Sequence, residues 1–532
     1  MTGVAEIFVG LLLAVAMVAL VGRKLPIPYP IVFVIGGLLL GLVPRLPSVR
    51  LNPELVFLFV LPPLLFRAAL FTSWRDFRAN LGPISRLAIG LVLFTTAAVA
   101  WLAHHFMDLP LAAGFVLGAI ISPPDAVAAT AIADRLKVPR RIVTILEGES
   151  LVNDATALVA YRFAVAAVAT GSFSLAHASG QFFIVGIGGV LVGLLVGWLA
   201  EQFHKRVDDA SIEVTVSLLT PFAAYLAAER LRVSGVLAVV TAGLHLGRRM
   251  PEIITFTTRL RGGPVWQMVE FLLNGFVFIL IGLQLPEVLR ALSGNAISIR
   301  QLVWDALLLS LAVILIRILW VFPSAYLPRL LFKKLCKHEP YPKWRHVAIV
   351  AWTGMRGVVS LAAALALPLT TRDGSPFPGR DLIFFLSFIV ILATLVVQGL
   401  SLPALIHWLG VKDDGSMEKE EREARLQANR AALARLSEVA ERDPAKADAL
   451  QRLRIEYEDH IRQLEGAQPE SAGTPLRLFS SEYERLSHEA LHVERRTIVK
   501  LRDQEVISDQ VLRRIQRDID FVEARLRLHQ QP

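Results

Sequence analysis

A single cysteine, Cys336, stands in the whole chain. That excludes an internal disulfide and a cysteine-based metal site. No G-x-x-x-x-G-K-[S/T] phosphate loop is present, so nothing points to ATP as an energy source, and no H-E-x-x-H points to a zinc hydrolase. The histidines His104, His105, His245 and His407 are scattered away from the acidic motifs. His104-His105 falls at the end of an apolar run, where interfacial solvation explains it better than metal binding. No cleavable leader is expected either. Met1 to Val21 is apolar from its first residues, has no basic region before it, and is followed by further apolar runs. It reads as a first membrane-spanning helix.

Charge is scarce and unevenly placed. Only 19% of the 532 residues are charged, against 54% hydrophobic. Apolar runs of about 20 residues, the length that crosses a bilayer as a helix, fill the first 410 residues and then stop. From Lys412 onward there are 22 Lys/Arg against 25 Asp/Glu, whereas the preceding part carries 33 against 21. Basic groups concentrated in short loops between apolar helices are a topology signal. The overall charge of +9 is therefore no footprint for nucleic acid. The expectation is an all-α integral membrane protein, with a transmembrane domain at 1–410 and a cytoplasmic helical domain at 411–532.

Thirteen spans are expected, at about residues 3–22, 29–44, 54–71, 83–106, 110–133, 141–170, 180–203, 211–229, 233–247, 266–289, 301–328, 346–369 and 382–409. The loops alternate in charge: odd loops hold 21 Lys/Arg, even loops 8. By the positive-inside rule this puts the N-terminus outside and the C-terminal tail in the cytoplasm of a plasma (inner) membrane protein. In the tail, Leu450, Leu453, Tyr457, Ile461 and Leu464 form one amphipathic stripe. Leu512, Ile515, Ile519, Val522 and Leu526 form another, with a Gly/Pro/Ser-rich hinge from Gly466 to Pro475 between them. Such stripes suit a self-packed or dimer-forming appendage more readily than a regulatory domain.

Ionisable groups within spans cost free energy and mark function by default. Arg67, Asp125, Glu147, Glu149, Asp154, Arg162, Glu213, Glu270, Asp305, Arg317 and Arg356 qualify. Glu213, Glu270 and Asp305 sit near span ends, where a side chain can reach water. Two stretches carry the stronger signal. In Ile121-Ser-Pro-Pro-Asp125, mid-span, Pro123 and Pro124 lack N–H donors and must interrupt the helix. A broken backbone at membrane depth needs protein or a water-filled cavity to satisfy it, and Asp125 stands beside the break. In Glu147-Gly-Glu-Ser-Leu-Val-Asn-Asp154, the i,i+4 spacing stacks Glu149 with Asn153 and Ser150 with Asp154. Acids buried together drive one another to hold protons near neutral pH, as a proton-coupled carrier requires. Arg356 in the twelfth span is the expected partner of one of these acids.

Taken with Leu61-Pro-Pro-Leu-Leu-Phe66, Gly354-Met-Arg-Gly357 and Gln398-Gly-Leu-Ser-Leu-Pro403, these motifs resemble the monovalent cation:proton antiporters of the NhaP/NHE branch, in order and spacing over roughly residues 5–410. The resemblance implies that Asp154 alternately carries H+ or a cation, Na+ or K+. Asp125, Asn153, Ser150 and the backbone at Pro124 would complete the ion site. Asn153, where electrogenic relatives have a second Asp, implies electroneutral exchange. It further implies a structural Glu149–Arg356 ion pair, an inverted-repeat fold with the fifth and twelfth spans unwound and crossing, a homodimer in the lipid bilayer, no cofactor, and a role in pH and cation homeostasis. Many relatives carry an acid where this chain has Arg67, which removes one candidate ligand from the third span. Outside this class, a cation channel or a membrane-embedded sensor would use similar polar breaks.

Overall fold

The structure, a computed structural model, describes residues 2–24, 28–43, 53–170, 175–284, 298–331, 341–371, 374–442, 447–465 and 481–528. Cys336 and the expected hinge at Gly466 to Pro475 lie outside them. Among the described residues the only extended pairing is an isolated bridge between Thr370 and Pro376; everything else regular is helical. In chain order the main helices are α1 (Thr2–Gly22), α2 (Tyr29–Gly41), α3 (Leu61–Phe71), α4 (Val92–Phe106), α5 (Leu111–Ile121), α6 (Ala126–Arg135), α7 (Arg140–Thr170), α8 (Leu175–His204), α9 (Ala210–Arg230) and α10 (Gly235–Ile253). They continue with α11 (Phe256–Leu283), α12 (Ile299–Leu331), α13 (Trp344–Trp352), α14 (Val358–Leu365), α15 (Arg380–Leu409), α16 (Ser416–Arg442), α17 (Ala447–Glu465), α18 (Ser481–Asp503) and α19 (Asp509–Leu528).

Each expected span overlaps one of these helices or a broken pair of them, residue 44 and residues 285–289 lying outside the described residues. Eight of the helical stretches are long and apolar enough to cross a membrane, the α5–α6 stretch among them, while Val9–Gly22, Tyr29–Gly41 and Val56–Phe71 are apolar but shorter. The bundle closes through small residues, as it must in lipid, where apolar side chains gain nothing by leaving their surroundings. At the α2–α11 crossing a Cβ on Gly37 would fall 2.2 Å from the Ile279 carbonyl oxygen. One on Gly282 would fall 2.4 Å from the Val34 oxygen. The two backbones touch, and only glycine permits it. Conversely, Phe183, Ile184, Ile187, Leu191 and Leu195 on α8 stay exposed, a surface built for a hydrocarbon environment.

The C-terminal helices bury their stripes against one another. Leu512, Ile515 and Ile519 pack with Ala424, Ala428 and Ile498, and Leu450, Leu453 and Tyr457 pack with Leu436, Leu486 and Ala490. This unit is also clamped onto the basic ends of the membrane helices. Arg259 holds Asp520 through two hydrogen bonds of 2.7 and 2.6 Å. Gln516 donates to the Pro251 carbonyl at 3.1 Å, and the Trp74 amide donates to Asp509 at 2.9 Å. Arg75 reaches Glu420 at 3.0 Å and the carbonyls of Glu505 and Val506. The acidic balance of the tail thus meets the basic odd loops directly.

Candidate cation and proton site

The site grows from two interruptions. Helix α5 stops at Ile121 and α6 starts at Ala126; α13 stops at Trp352 and α14 starts at Val358. Prolines explain the first break. Pro123 cannot donate to the carbonyl one turn back, and the Ser122 hydroxyl substitutes, donating to the Ala119 oxygen at 3.2 Å. Glycines permit the second. A Cβ on Gly357 would lie 1.9 Å from Asp125 Oδ2, so no other residue allows Asp125 to come so close. The two breaks cross and bond to each other: the Asp125 amide donates to the Met355 carbonyl at 2.7 Å, and Arg356 Nη1 donates to the Ser122 carbonyl. The Arg356 amide in turn donates to Thr394 Oγ1 at 3.2 Å.

Charges are matched to the half-helix ends. Asp125 caps α6, its Oδ1 accepting from the Val127 amide at 2.8 Å, where the positive end of the helix dipole favours an anion. Arg356 lies against the carbonyl end of α5, where a cation is favoured. Asn153, on α7, donates from Nδ2 to the Pro124 carbonyl at 2.7 Å and is fully buried. Its amide holds the broken segment in shape.

Asp154 follows Asn153 around α7 and faces a cavity of about 450 Å³. The same cavity is lined by Asp125, Pro124 and Ser150, together with Thr130, Glu147 and Arg67. The structure therefore brings Asp154, Asp125, Ser150 and Pro124 to one space and turns Asn153 away from it. The donor set is carboxylate, hydroxyl and backbone oxygen, which suits a hard monovalent cation. Among the described residues no group of His, Cys, Asp and Glu forms a metal centre.

The expected Glu149–Arg356 ion pair does not form. Glu149 is held by Arg317 of α12, Nη1 to Oε1 at 2.6 Å and Nη2 to Oε2 at 2.9 Å, with both side chains almost wholly buried. Arg317 also donates to the Val350 carbonyl from Nε and Nη2, at 3.2 and 3.0 Å. A planar guanidinium can grip a carboxylate with two parallel bonds and still cap a helix end, and α12 offers that approach. Arg356 is committed instead to the orphaned carbonyl at Ser122. The residue was visible in the sequence as an arginine in mid-span; what was not visible was which helix faces Glu149.

Two of the three span-end acids also differ from expectation. Glu213 and Asp305 are 1% and 3% exposed, not snorkelling to water. Glu213 lies 3.8 Å from His204, which the sequence reading did not single out. Glu270 forms an ion pair with Arg67 at 2.5 Å on the cavity wall. Arg67 thus arrives with its own counter-charge. Arg162 bonds Glu229 at 2.7 Å on an exposed surface, and His245 bonds Glu201 at 2.8 Å, away from the site.

Interrupted helices crossing over a carboxylate-lined cavity are the architecture of a secondary transporter. Comparison with known proteins narrows this class. A family model described as "Sodium/hydrogen exchanger, transmembrane" matches residues 10–408. An uncharacterized Na(+)/H(+) exchanger of Mycobacterium tuberculosis is 37% identical, with 98% of this chain and 96% of that protein aligned. A sodium, potassium, lithium and rubidium/H(+) antiporter of Bacillus subtilis is 37% identical over 74% of this chain and 60% of its own. Among solved structures, the sodium proton antiporter MjNhaP1 of Methanocaldococcus jannaschii superposes with a TM-score of 0.61 at 20% identity, covering 77% of this chain and 99% of that one; this likeness bears on the fold. The chain belongs to the sodium/hydrogen exchanger family of monovalent cation:proton antiporters. Members of this family are multi-pass secondary transporters, not enzymes, and cation/proton antiport is the activity class.

Proposed function

We propose that the protein exchanges Na+ for H+ one for one across the plasma membrane, with Asp154 as the carboxylate that holds either ion. The observation that carries this reading is the shared cavity of Asp154 and Asp125 beneath the crossed, broken helices. A proton on Asp154 removes the charge that attracts the cation, and a bound cation occupies the oxygens a proton would need. Competition for one group couples the two fluxes. Asp125, Ser150 and the Pro124 backbone oxygen complete the cation site, while Asn153 fixes the backbone there. With an amide instead of a second acid at position 153, a single titrating carboxylate favours electroneutral exchange.

Alternating access follows from moving α5–α7 and α12–α15 against the remaining membrane helices, so that the cavity opens to one side and then the other. The protein serves as a homodimer in intracellular pH and cation homeostasis, and the basic odd loops support a cytoplasmic tail. Residues 1–410 act as the exchanger domain and 411–532 as a cytoplasmic helical domain. The name of the B. subtilis relative supports a second reading, that K+ and other alkali cations are also accepted. The test is exchange in proteoliposomes with an entrapped pH dye, titrating Na+, K+ and Li+ in turn. Saturable, cation-dependent pH recovery that Asp154→Asn abolishes is expected; undiminished exchange by that variant refutes the assignment, and channel-like conductance would replace it.

A further inference from the structure

Resting on that reading of the cavity, we propose that Glu147 is the carboxylate that first receives the cation at the tail-side mouth, and that Arg513 of the C-terminal helices competes with the cation for it. The tail would then set how readily that mouth loads.

Glu147 lies seven residues before Asp154 on α7, about two turns or roughly 10 Å along one helix face. Ser150, one turn from each, lines the same cavity, so an oxygen ladder runs from the mouth to the site. Phe71 forms part of the cavity wall. On the other side of Phe71 sits the tail: Arg513 donates from Nη2 to the Phe71 carbonyl, and its guanidinium lies 5.6 Å from the Phe71 ring centroid. Glu147 is within electrostatic reach of three guanidinium groups, those of Arg513, Arg67 and Arg140. Two of these are already matched by acids: Arg67 holds Glu270, and Arg140 holds Asp76 and approaches Glu420 at 3.9 Å.

Arg513 is different. Its Nη2 bonds a neutral carbonyl, and its Nη1 is buried with no hydrogen-bond partner among the described residues. The remaining charges around it are Asp509, Arg140 and Arg502. Asp509 is itself taken by the Trp74 amide and by Arg502. Asp134 adds a second acid on the Glu147 side. Among the described residues, the tail thus delivers a positive charge with no ion-pair partner of its own to a mouth where two carboxylates, Glu147 and Asp134, line the cavity without a matched cation, and of these Glu147 is the one within its electrostatic reach. A guanidinium there competes with an arriving cation for the attraction of Glu147, and that is how it acts.

The experiment uses the full chain in proteoliposomes with an entrapped pH dye and Na+ as the probe, reading the half-saturating Na+ concentration separately from the maximal rate. Arg513→Gln is expected to lower the half-saturating concentration roughly three- to tenfold, as removal of one partly screened charge at this range would. Arg513→Lys, which keeps the charge, is expected to return it toward wild type. Glu147→Gln should raise it, and in a Glu147→Gln background Arg513→Gln should have little further effect. An unchanged half-saturation in Arg513→Gln, or an equal decrease with and without Glu147, overturns the proposal. Where Arg513→Gln is poorly produced, Glu147→Gln decides alone: wild-type half-saturation would overturn it. Asp154→Asn is run in parallel. Loss of exchange in that variant leaves the site reading intact whatever Arg513 does, and retained exchange would bring down both.

Discussion

Truncating Arg317 to alanine removes two hydrogen bonds to Glu149 and two to the Val350 carbonyl, in a place where neither charged side chain is exposed by more than 2%. The costs are unequal. Val350 keeps a donor, because Thr353 Oγ1 also bonds its oxygen at 3.0 Å, so that carbonyl adds little. Glu149 is left as a buried carboxylate with no bonded counter-charge, Arg356 reaching it only through space, and breaking a buried pair from one side costs about 3–5 kcal/mol. That is a drop of about a hundred- to a few-thousandfold in the folded-to-unfolded ratio. Arg356→Ala orphans mainly the Ser122 carbonyl, a loss of about 1–3 kcal/mol, and should be milder. Replacing both partners, Glu149→Gln with Arg317→Met, removes the charge along with its mate and should recover most of the loss. The assay is the fraction of detergent-extracted protein that stays monodisperse after a heating series. Arg317→Ala as heat-resistant as wild type, or a double variant no better than the single one, would refute the reasoning.

Two further outcomes follow from individual positions. Gly357→Ala places a methyl where Asp125 Oδ2 now lies, 1.9 Å away, so the crossing must separate; exchange should be lost in protein that still inserts, and normal transport by that variant would contradict the packing. In the tail, burial pushes the Glu494 carboxyl up to about 7, and Tyr457 donates a hydrogen bond to it. A raised carboxyl favours the folded state while it is protonated, so the stabilisation is full below the unfolded value near 4.5 and is lost as pH rises towards 7. The loss amounts to roughly 3 kcal/mol. Amide protection in α17 and α18 of the full chain, corrected for intrinsic exchange, should fall from pH 5 to pH 8, and Glu494→Gln should flatten that dependence.

Much of the site was legible in residue order because its constraints are local. Pro123 and Pro124 break a helix in any context, and Asp154 shares a face with Ser150 by helical spacing alone. Partner choice was not legible. Arg317 and Arg356 are both arginines in apolar spans, and only the stacking of α12 against α7 decides that the first reaches Glu149. Likewise Asn153 looked like a cavity ligand beside Asp154, but one residue along a helix is a 100° turn, which carries its amide to the Pro124 carbonyl. The stripes of the tail were readable as packing faces; that the unit they build would clamp onto Arg75, Arg259 and Pro251 depends on surfaces far apart in the chain.

Proton release on cation binding tests the shared carboxylate most directly. Purified protein in weakly buffered detergent, mixed with Na+ at a pH where Asp154 is protonated, should release one proton for each cation bound, and Asp154→Asn should bind little Na+ and release none. Sodium binding that frees no proton, or proton release that persists without Asp154, would contradict the account.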